Sequence, residues 1–206
     1  TLTADNAANG AIMLTAGQDI DLNAAVSAAE GVTAAADNNV TLTSSIAADS
    51  DSDTTGDATL TADADSSSAG DFVMGPNASV TAENIIIAGY NATTDLLTAD
   101  TAVTVTAEND VAMNDAVTGV AGNVIVTGGR DVMSAAAGDV NGDTVVITGT
   151  HGDVDLDGTV VADVADVTIT AGDDVTTDDT ITGNTDVTMT AGDDMTVNAQ
   201  VTAVTG

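Results

Sequence analysis

The sequence predicts an all-β protein, a parallel β-helix (β-solenoid) with three short strands in each coil of about twenty residues. The main observation is a short phrase, alternating apolar and polar residues before an acidic turn, that recurs along the chain. A period of about twenty residues indicates stacked repeats, each burying its apolar residues against the next. The copies are IMLTAGQDI at 12–20, VTVTAENDV at 103–111, VIVTGGRDV at 124–132, VTITAGDDV at 167–175, VTMTAGDDM at 187–195 and, with one extra residue, VVITGTHGDV at 145–154.

The coil at 167–186 shows how each repeat is expected to fold. Apolar and polar residues alternate over 167–171, which is typical of a strand with one buried face. The sequence Gly-Asp-Asp at 172–174 predicts a turn, and 175–178 and 181–183 predict the second and third strands. Because stacked coils pair at about 4.8 Å, about ten coils would make a rod of about 50 Å. The same three segments recur at 187–191, 195–198 and 201–203, and at 103–107, 111–114 and 117–119.

The composition suits a narrow β interior. Apolar residues make up 43% of the chain but aromatic residues only 1%, so Val, Ala, Ile, Leu and Met must form the core. The absence of Cys excludes disulfides and thiolate metal sites. No stretch approaches the roughly 18 apolar residues that a membrane-spanning segment needs.

The charge excludes two classes of partner. The chain has 33 acidic residues and one basic residue, Arg130, which gives a formal net charge of -32. Nucleic acid and anionic membrane surfaces are repelled by such a protein. Cations are the partners that the charge favours, and calcium is the candidate cofactor.

The whole chain, 1–206, is expected to form a single β-solenoid. The repeat is less regular around 44–58 and 63–100, where we expect irregular coils or lateral loops. Such loops often carry the binding function of a solenoid, although an insertion tolerated at a turn gives the same pattern. No capping segment is evident at either end, as expected for an excerpt of a longer array or for a subunit that stacks end to end.

Two short segments resemble the opening of a calcium-binding loop. Asp153, Asp155 and Asp157, followed by Gly158, fit the pattern D-x-D-x-D-G, but Val164 occupies the twelfth position, where a bidentate acid is required. The second segment begins at Asp139 with a similar pattern, and Thr150 occupies its twelfth position. The alternative is that these residues accept hydrogen bonds from backbone N–H groups in turns. The second candidate set is Asp139, Asn141 and Asp143.

Acidic residues also recur at one place in the repeat. Where coils are adjacent, this stacks carboxylates about 5 Å apart, and each pair repels by roughly 0.8 kcal/mol even in bulk water. The sequence therefore predicts diffuse cation dependence rather than a single calcium cage. The stacked residues are Asp19, Asp110, Asp131, Asp153, Asp174 and Asp194.

Pairs of threonines in the pattern T-x-T are predicted to point outwards from one face. Flat arrays of this kind resemble the ice-binding faces of some antifreeze proteins. Ile125 and Val146 replace the first Thr in two central coils, and Thr is in any case favoured on an exposed β face. The pairs are Thr41/Thr43, Thr59/Thr61, Thr104/Thr106, Thr168/Thr170 and Thr188/Thr190.

The sequence predicts no catalytic activity. A carbohydrate-cleaving β-helix needs a carboxylate pair in a groove with aromatic and basic residues, and this chain has one Arg and one Tyr. His151, the only histidine, is expected to be a solvated turn residue, and Arg130 a lone surface cation.

The phrases TAGDDV at 170–175 and TAGDDM at 190–195, with V-x-x-N/D and V-T-A/G following, resemble the haemagglutinin repeats of filamentous-haemagglutinin-like exoproteins. The resemblance covers most of the chain and is strongest at 103–206. It implies a right-handed parallel β-helix in the shaft of a large secreted bacterial surface protein. Members of that family are commonly adhesins, and the motif carries no catalytic residues.

These observations lead to one expected function and one alternative. The first is a non-enzymatic structural β-solenoid, extracellular or on the cell surface, that forms the shaft of an adhesin or a filament or sheath assembled through open coil ends. Its partner is then a further copy or a further part of a longer repeat chain. The alternative is a ligand-binding solenoid, with ice on the threonine face or with calcium-dependent adhesion to a host or matrix glycan.

Overall fold

The computed structural model describes residues 2–4, 10–49 and 56–205. These residues form a β-solenoid of nine coils, with three strands in each coil, as the sequence predicts. Each strand pairs in parallel with the strand at the same place in the neighbouring coil. The described residues include no helix long and apolar enough to cross a membrane.

Each coil places one strand on each of three faces, which we call A, B and C in chain order. Two long strands, Ser79–Gly89 and Leu96–Ala107, run from face C of one coil into face A of the next, so each belongs to both faces. The other face A strands are Ala11–Ala16, Gly31–Ala36, Asp57–Thr61, Val124–Gly128, Val145–Gly149, Val167–Ala171 and Val187–Thr190. The face B strands are Ile20–Leu22, Val40–Leu42, Phe72–Met74, Ala92–Thr94, Val111–Met113, Val132–Ser134, Val154–Leu156, Val175–Thr177 and Met195–Val197. The other face C strands are Leu2–Ala4, Val26–Ala28, Ser45–Ala47, Val117–Gly119, Val140–Gly142, Val160–Ala162, Ile181–Gly183 and Val201–Ala203.

The core consists of apolar columns that run along the solenoid with one residue from each coil. On face B, Val111, Val132, Val154 and Val175 are in register and fully buried. β-Branched side chains fit this arrangement because they pack well on a pleated surface that repeats about every 4.8 Å. Two similar columns are Val103, Val124, Val145 and Val167 on face A, and Val117, Val140, Val160 and Ile181 on face C.

The extra residue in the copy at 145–154 is accommodated in a turn. Val145–Gly149 stays in register with its neighbours on both sides, so the insertion lies between faces A and B, next to His151. A Cβ atom at Gly152 would overlap the side chain of Asp131 in the preceding coil. Glycine at 152 therefore leaves room for the Asp131 carboxylate where this longer turn passes close to the coil before it.

The coil that begins at Asp57–Thr61 carries a lateral loop, residues 62–71, between its face A and face B strands. Residues 72–100 otherwise form strands on all three faces. Residues 50–55, within the other irregular segment, lie outside the described part of the chain. The lateral loop lengthens its coil, and the described residues form nine coils where about ten were expected.

The apolar columns are exposed at the C-terminal coil. Met195, Val197 and Val201 continue columns that are buried in the preceding coil, yet they are 45%, 41% and 41% exposed. In the first coil, by contrast, Ile20 and Leu22 are 9% and 7% exposed.

Candidate functional site at the edge between faces A and B

A column of Asp and Asn residues runs along the edge where face A turns into face B. Each member directly precedes a face B strand, and all nine coils contribute one. We call this column the Asx ladder. Its members are Asp19, Asn39, Asp71, Asn91, Asp110, Asp131, Asp153, Asp174 and Asp194.

Hydrogen bonds join every consecutive pair of ladder residues. In each of the eight steps, the side-chain Oδ1 accepts a hydrogen bond from the backbone N–H of the ladder residue in the next coil, at 2.8 to 3.3 Å. For example, Asp153 Oδ1 accepts from Asp174 N–H, and Asp174 Oδ1 accepts from Asp194 N–H. The ladder thus continues the stacking of the coils through a corner of the solenoid. The ladder aspartates therefore do accept hydrogen bonds from backbone N–H groups, but those groups belong to the following coil.

The sequence identified six ladder residues and missed Asn39, Asp71 and Asn91. Asn39 and Asn91 are uncharged, so a search for stacked carboxylates passes over them. Asp71 is the last residue of the lateral loop, which hides its place in the repeat. The available signal was an Asx residue directly before an apolar strand residue, as in Asn39-Val40.

Asparagine reduces the charge in the N-terminal part of the ladder. Asn39 donates from Nδ2 to Asp19 at 3.0 Å, and Asn91 donates from Nδ2 to Asp71 at 2.9 Å. Asp and Asn therefore alternate over these four coils. Each carboxylate accepts a hydrogen bond from the side-chain amide of the coil that follows it. No two carboxylates are consecutive in this part of the ladder.

Arg130 compensates the middle of the ladder: it is a surface cation, as predicted, but it is paired with two carboxylates. Its guanidinium binds Asp110 through two nitrogens, and its Nε lies 3.2 Å from an oxygen of Asp131. The hydrogen bonds from Arg130 hold the pKa of Asp110 below its ordinary value, against the opposing effect of burial. This one cation thereby serves two consecutive carboxylates.

The C-terminal part of the ladder has no such compensation among the described residues. Asp153, Asp174 and Asp194 are consecutive, and Asp173 and Asp193 lie beside the last two. Repulsion by Asp174 is the main reason that the pKa of Asp173 is raised, with burial and three further carboxylates adding to it. Carboxylate oxygens of Asp173, Asp174 and Asp193 lie within 4.8 Å of one another.

The first set of predicted calcium ligands is spread along a strand. Asp155 points outwards from Val154–Leu156, while Asp153 precedes this strand and Asp157 follows it. Extended backbone separates alternate residues by about 6.6 Å and does not wrap around an ion as a calcium loop does. Burial and the neighbouring carboxylates of Asp157, Asp178 and Asp153 raise the pKa of Asp155.

The second set, Asp139, Asn141 and Asp143, is likewise arranged around a strand, Val140–Gly142. Asp139 Oδ1 accepts hydrogen bonds from both the N–H and the hydroxyl of Thr159, each at 2.8 Å. Among the described residues, three carboxylates converge at two other places. These are the groups Asp49/Glu83/Asp100 and Asp173/Asp174/Asp193.

Face A presents two outward columns that are rich in threonine. The first column has Thr in five of nine coils and apolar residues in the other four, whereas the second has Thr in seven of nine coils. The first is Met13, Thr33, Thr59, Ile86, Thr104, Ile125, Val146, Thr168 and Thr188, and the second is Thr15, Ala35, Thr61, Ala88, Thr106, Thr127, Thr148, Thr170 and Thr190.

One threonine pair is not part of this array. Thr41 points outwards from face B, in Val40–Leu42, and Thr43 lies in the turn after it, where its hydroxyl donates to Asn23 at 2.9 Å. The expectation that all five T-x-T pairs share a face is therefore wrong for this pair. The pattern T-x-T recurs in more than one strand of the coil, so the sequence alone did not distinguish the faces.

The lateral loop lies beside the same edge. The Asp63 carboxylate accepts hydrogen bonds from Ser67 N–H, Ser67 Oγ and Ser68 N–H, at 2.7 to 3.0 Å. Although burial opposes it, these bonds lower the pKa of Asp63. Ser68 Oγ in turn donates to Glu108 at 3.1 Å, which ties the loop to a coil further along the solenoid. The hydrogen bonds of Asp63, Ser67 and Ser68 thus stabilise the conformation of the loop.

Tyr90, Arg130 and His151 also lie in turns along this edge, in different coils. His151 is exposed, as expected for a turn residue, and its Nδ1 lies 2.9 Å from the carbonyl oxygen of Gly129 in the preceding coil.

The architecture is that of a β-helix repeat protein. No protein-family model, curated protein or solved structure matches the chain.

Proposed function

We propose that the protein is a non-enzymatic structural β-solenoid that acts outside the cell, as the shaft of a surface adhesin or as the subunit of a filament or sheath. The observation that carries this proposal is the Asx ladder, which runs unbroken through all nine coils. It places repeated polar side chains in the contacts between coils. Because each of these hydrogen bonds joins one coil to the next, the ladder stiffens the rod.

The mechanism is mechanical. Parallel backbone pairing on three faces and continuous apolar columns make each coil the template for the next. Side-chain hydrogen bonds at the edge add a contact at the corner, where backbone pairing is interrupted by a turn. A stiff rod of nine coils, about 43 Å long at about 4.8 Å for each coil, can project a binding domain or extend by stacking.

The surface of the C-terminal coil has the geometry on which a further coil could stack. Met195, Val197 and Val201 lie in line with buried columns, and a further coil stacked on them would bury these side chains. Burying apolar surface favours such stacking by roughly 25 cal/mol for each Å². The further coil would come from a longer chain in an adhesin shaft and from a second molecule in a filament.

Electron microscopy of the purified protein tests this proposal. Filaments with an axial repeat of about 43 Å would support the assembling subunit, and isolated straight rods would support the shaft. Flexible or globular particles would contradict both forms. Grids prepared with calcium and again after chelation would show whether the acidic edge needs that ion for assembly.

The second outward column of face A favours one further candidate, binding of ice. It offers threonine hydroxyl and methyl groups at the coil spacing in seven of nine coils, and Thr127 and Thr148 continue it through the coils where the first column is apolar. Thermal hysteresis of the soluble protein tests this candidate. Thr170→Tyr should abolish the activity, and Thr182→Tyr, which alters an outward threonine of face C, should not. Absence of hysteresis in the unaltered protein would contradict ice binding.

Calcium-dependent adhesion to a glycan stays a prediction. The predicted ligand sets lie along Val154–Leu156 and Val140–Gly142, where extended backbone spreads them out. The two convergent groups of carboxylates described above lie elsewhere. Measurement of calcium binding by isothermal titration calorimetry, followed by a glycan array with and without calcium, would test it.

A further inference from the structure

We propose that the last three coils, residues 145–205, form a salt-responsive segment whose stacking depends on screening of their carboxylates, whereas the coils at 11–47 stack with little dependence on ionic strength. The inference goes beyond the structural role proposed above and does not depend on it. It rests on the distribution of charge along the Asx ladder.

The first step is the compensation in the N-terminal and central coils. Asn39 and Asn91 interrupt the carboxylates of the ladder and donate amide hydrogens to Asp19 and Asp71. In the central coils, Arg130 contacts both ladder carboxylates, Asp110 and Asp131. At the ladder, stacking these coils therefore brings together acceptors and donors, or carboxylates and a guanidinium. Carboxylates converge elsewhere in these coils only at Asp49, Glu83 and Asp100, among the described residues, and none of these three lies within 11–47.

The second step is the lack of compensation in the last three coils. Residues 145–206 contain twelve Asp and one His, but no Glu, Lys or Arg. Asp153, Asp174 and Asp194 follow one another in the ladder. A second edge repeats the pattern, because Asp186 N–H donates to Asp166 of the preceding coil at 3.2 Å. Stacking these coils brings carboxylates to within about one coil spacing, about 4.8 Å, at two edges.

The third step is the physics of screening. The screening length is about 30 Å in 0.01 M salt and about 3 Å in 1 M salt. Carboxylates one coil apart therefore repel almost fully at low salt and weakly at high salt. The apolar columns favour stacking in both conditions, so the part of the stacking free energy that changes with salt is set by charge.

Hydrogen exchange followed by mass spectrometry tests the inference, because it reports the opening of each segment. The protein is compared in about 0.01 M and about 1 M NaCl at pH about 7. Between these conditions, protection of 167–205 should rise at least about tenfold more than protection of 11–47. An equal salt response in the two segments would overturn the inference.

Charge-neutralising variants distinguish screening in the ladder from a general effect of salt. The double variant Asp174→Asn/Asp194→Asn keeps the Oδ1 acceptor, as Asn39 and Asn91 do, and should lose most of the extra response. Asp71→Asn, a matched change in the compensated part, should leave it intact. Persistence of the full response in the double variant would overturn the inference.

Arg130→Gln provides a converse test, since removal of the guanidinium should extend the salt response to 103–142. A salt response that stays confined to 145–205 in this variant would contradict the role assigned to Arg130. Calcium at about 1 mM in about 1 M NaCl should add nothing further when screening is the cause. Additional protection from calcium in that buffer would overturn screening in favour of a bound ion.

Discussion

Arg130 binds Asp110 of the preceding coil through two guanidinium nitrogens, with Nε 2.9 Å from Oδ1 and Nη2 2.6 Å from Oδ2. Asp110 Oδ1 also accepts the backbone N–H of Asp131 at 3.3 Å. One carboxylate thus joins two coils through a side-chain ion pair and a side-chain-to-backbone bond. The one cationic side chain of a strongly acidic protein is placed where the ladder first has consecutive aspartates.

The first prediction concerns the pH dependence of this ion pair. The pKa of Asp110 is lowered in the folded protein, so the pair stabilises the fold above the ordinary Asp pKa of about 3.9 and loses that effect as pH falls through the lowered value. Arg130→Gln should therefore reduce the melting temperature at pH about 7, and the difference should shrink as the pH falls below the ordinary Asp pKa of about 3.9. Thermal unfolding of both proteins across this range checks it, and a constant difference at all pH values would contradict it.

The second prediction has the opposite sign. The pKa of Asp173 is raised in the folded protein, so its charged form is disfavoured there. It destabilises the fold above the raised pKa, and this effect is lost as pH falls towards the ordinary value of about 3.9. Asp173→Asn should increase the melting temperature at pH about 7 but not below pH about 3.

Asp21→Asn is a matched control for the second prediction. Asp21 points outwards from face B of the first coil, opposite Thr41 in the next, and is far along the rod from Asp173. The control should change the melting temperature less than Asp173→Asn does. Equal stabilisation by the two variants would attribute the effect to net charge and not to the local cluster.

The sequence predicted the coil and its strands well in the C-terminal half. Four strands have the predicted bounds, namely Val167–Ala171, Ile181–Gly183, Val117–Gly119 and Val201–Ala203. Their alternation of Val or Ile with Thr directly reflects a strand with one buried face. Near residue 66, however, a polar loop of turn residues interrupts the period, and local pattern alone does not show that the coils resume in register beyond it.

The ladder was predicted only as repulsion between carboxylates. What the sequence did not show is that each Oδ1 accepts a backbone N–H from the next coil, because this depends on the turn geometry at the edge. Once that bond is known, Asn39 and Asn91 are equivalent to aspartate as acceptors. Arg130 then acts as a counter-ion between coils.

The third prediction tests whether the ladder stabilises the stack. Asp71 Oδ1 accepts two hydrogen bonds from Asn91, from N–H at 3.2 Å and from Nδ2 at 2.9 Å. Asp71→Ala removes the oxygen that accepts both bonds and should reduce the free energy of unfolding by about 1–2 kcal/mol. Asp71→Asn keeps an acceptor for the N–H and should cost less. Urea denaturation of the two variants measures this, and equal losses would show that the acceptor oxygen is not what matters.

The fourth prediction concerns a polar side chain inside the core. Thr177 is fully buried, between Leu156 and Val197 in its column, and its Oγ1 has no hydrogen-bond partner among the described residues. Because a buried hydroxyl without a partner loses its hydration for no gain, Thr177→Val should increase the free energy of unfolding by about 1 kcal/mol. Thr176→Val makes the same change on the outward side of the strand and should stay within about 0.5 kcal/mol of the unaltered protein. Urea denaturation checks both, and destabilisation by Thr177→Val would mean that the hydroxyl is bonded after all.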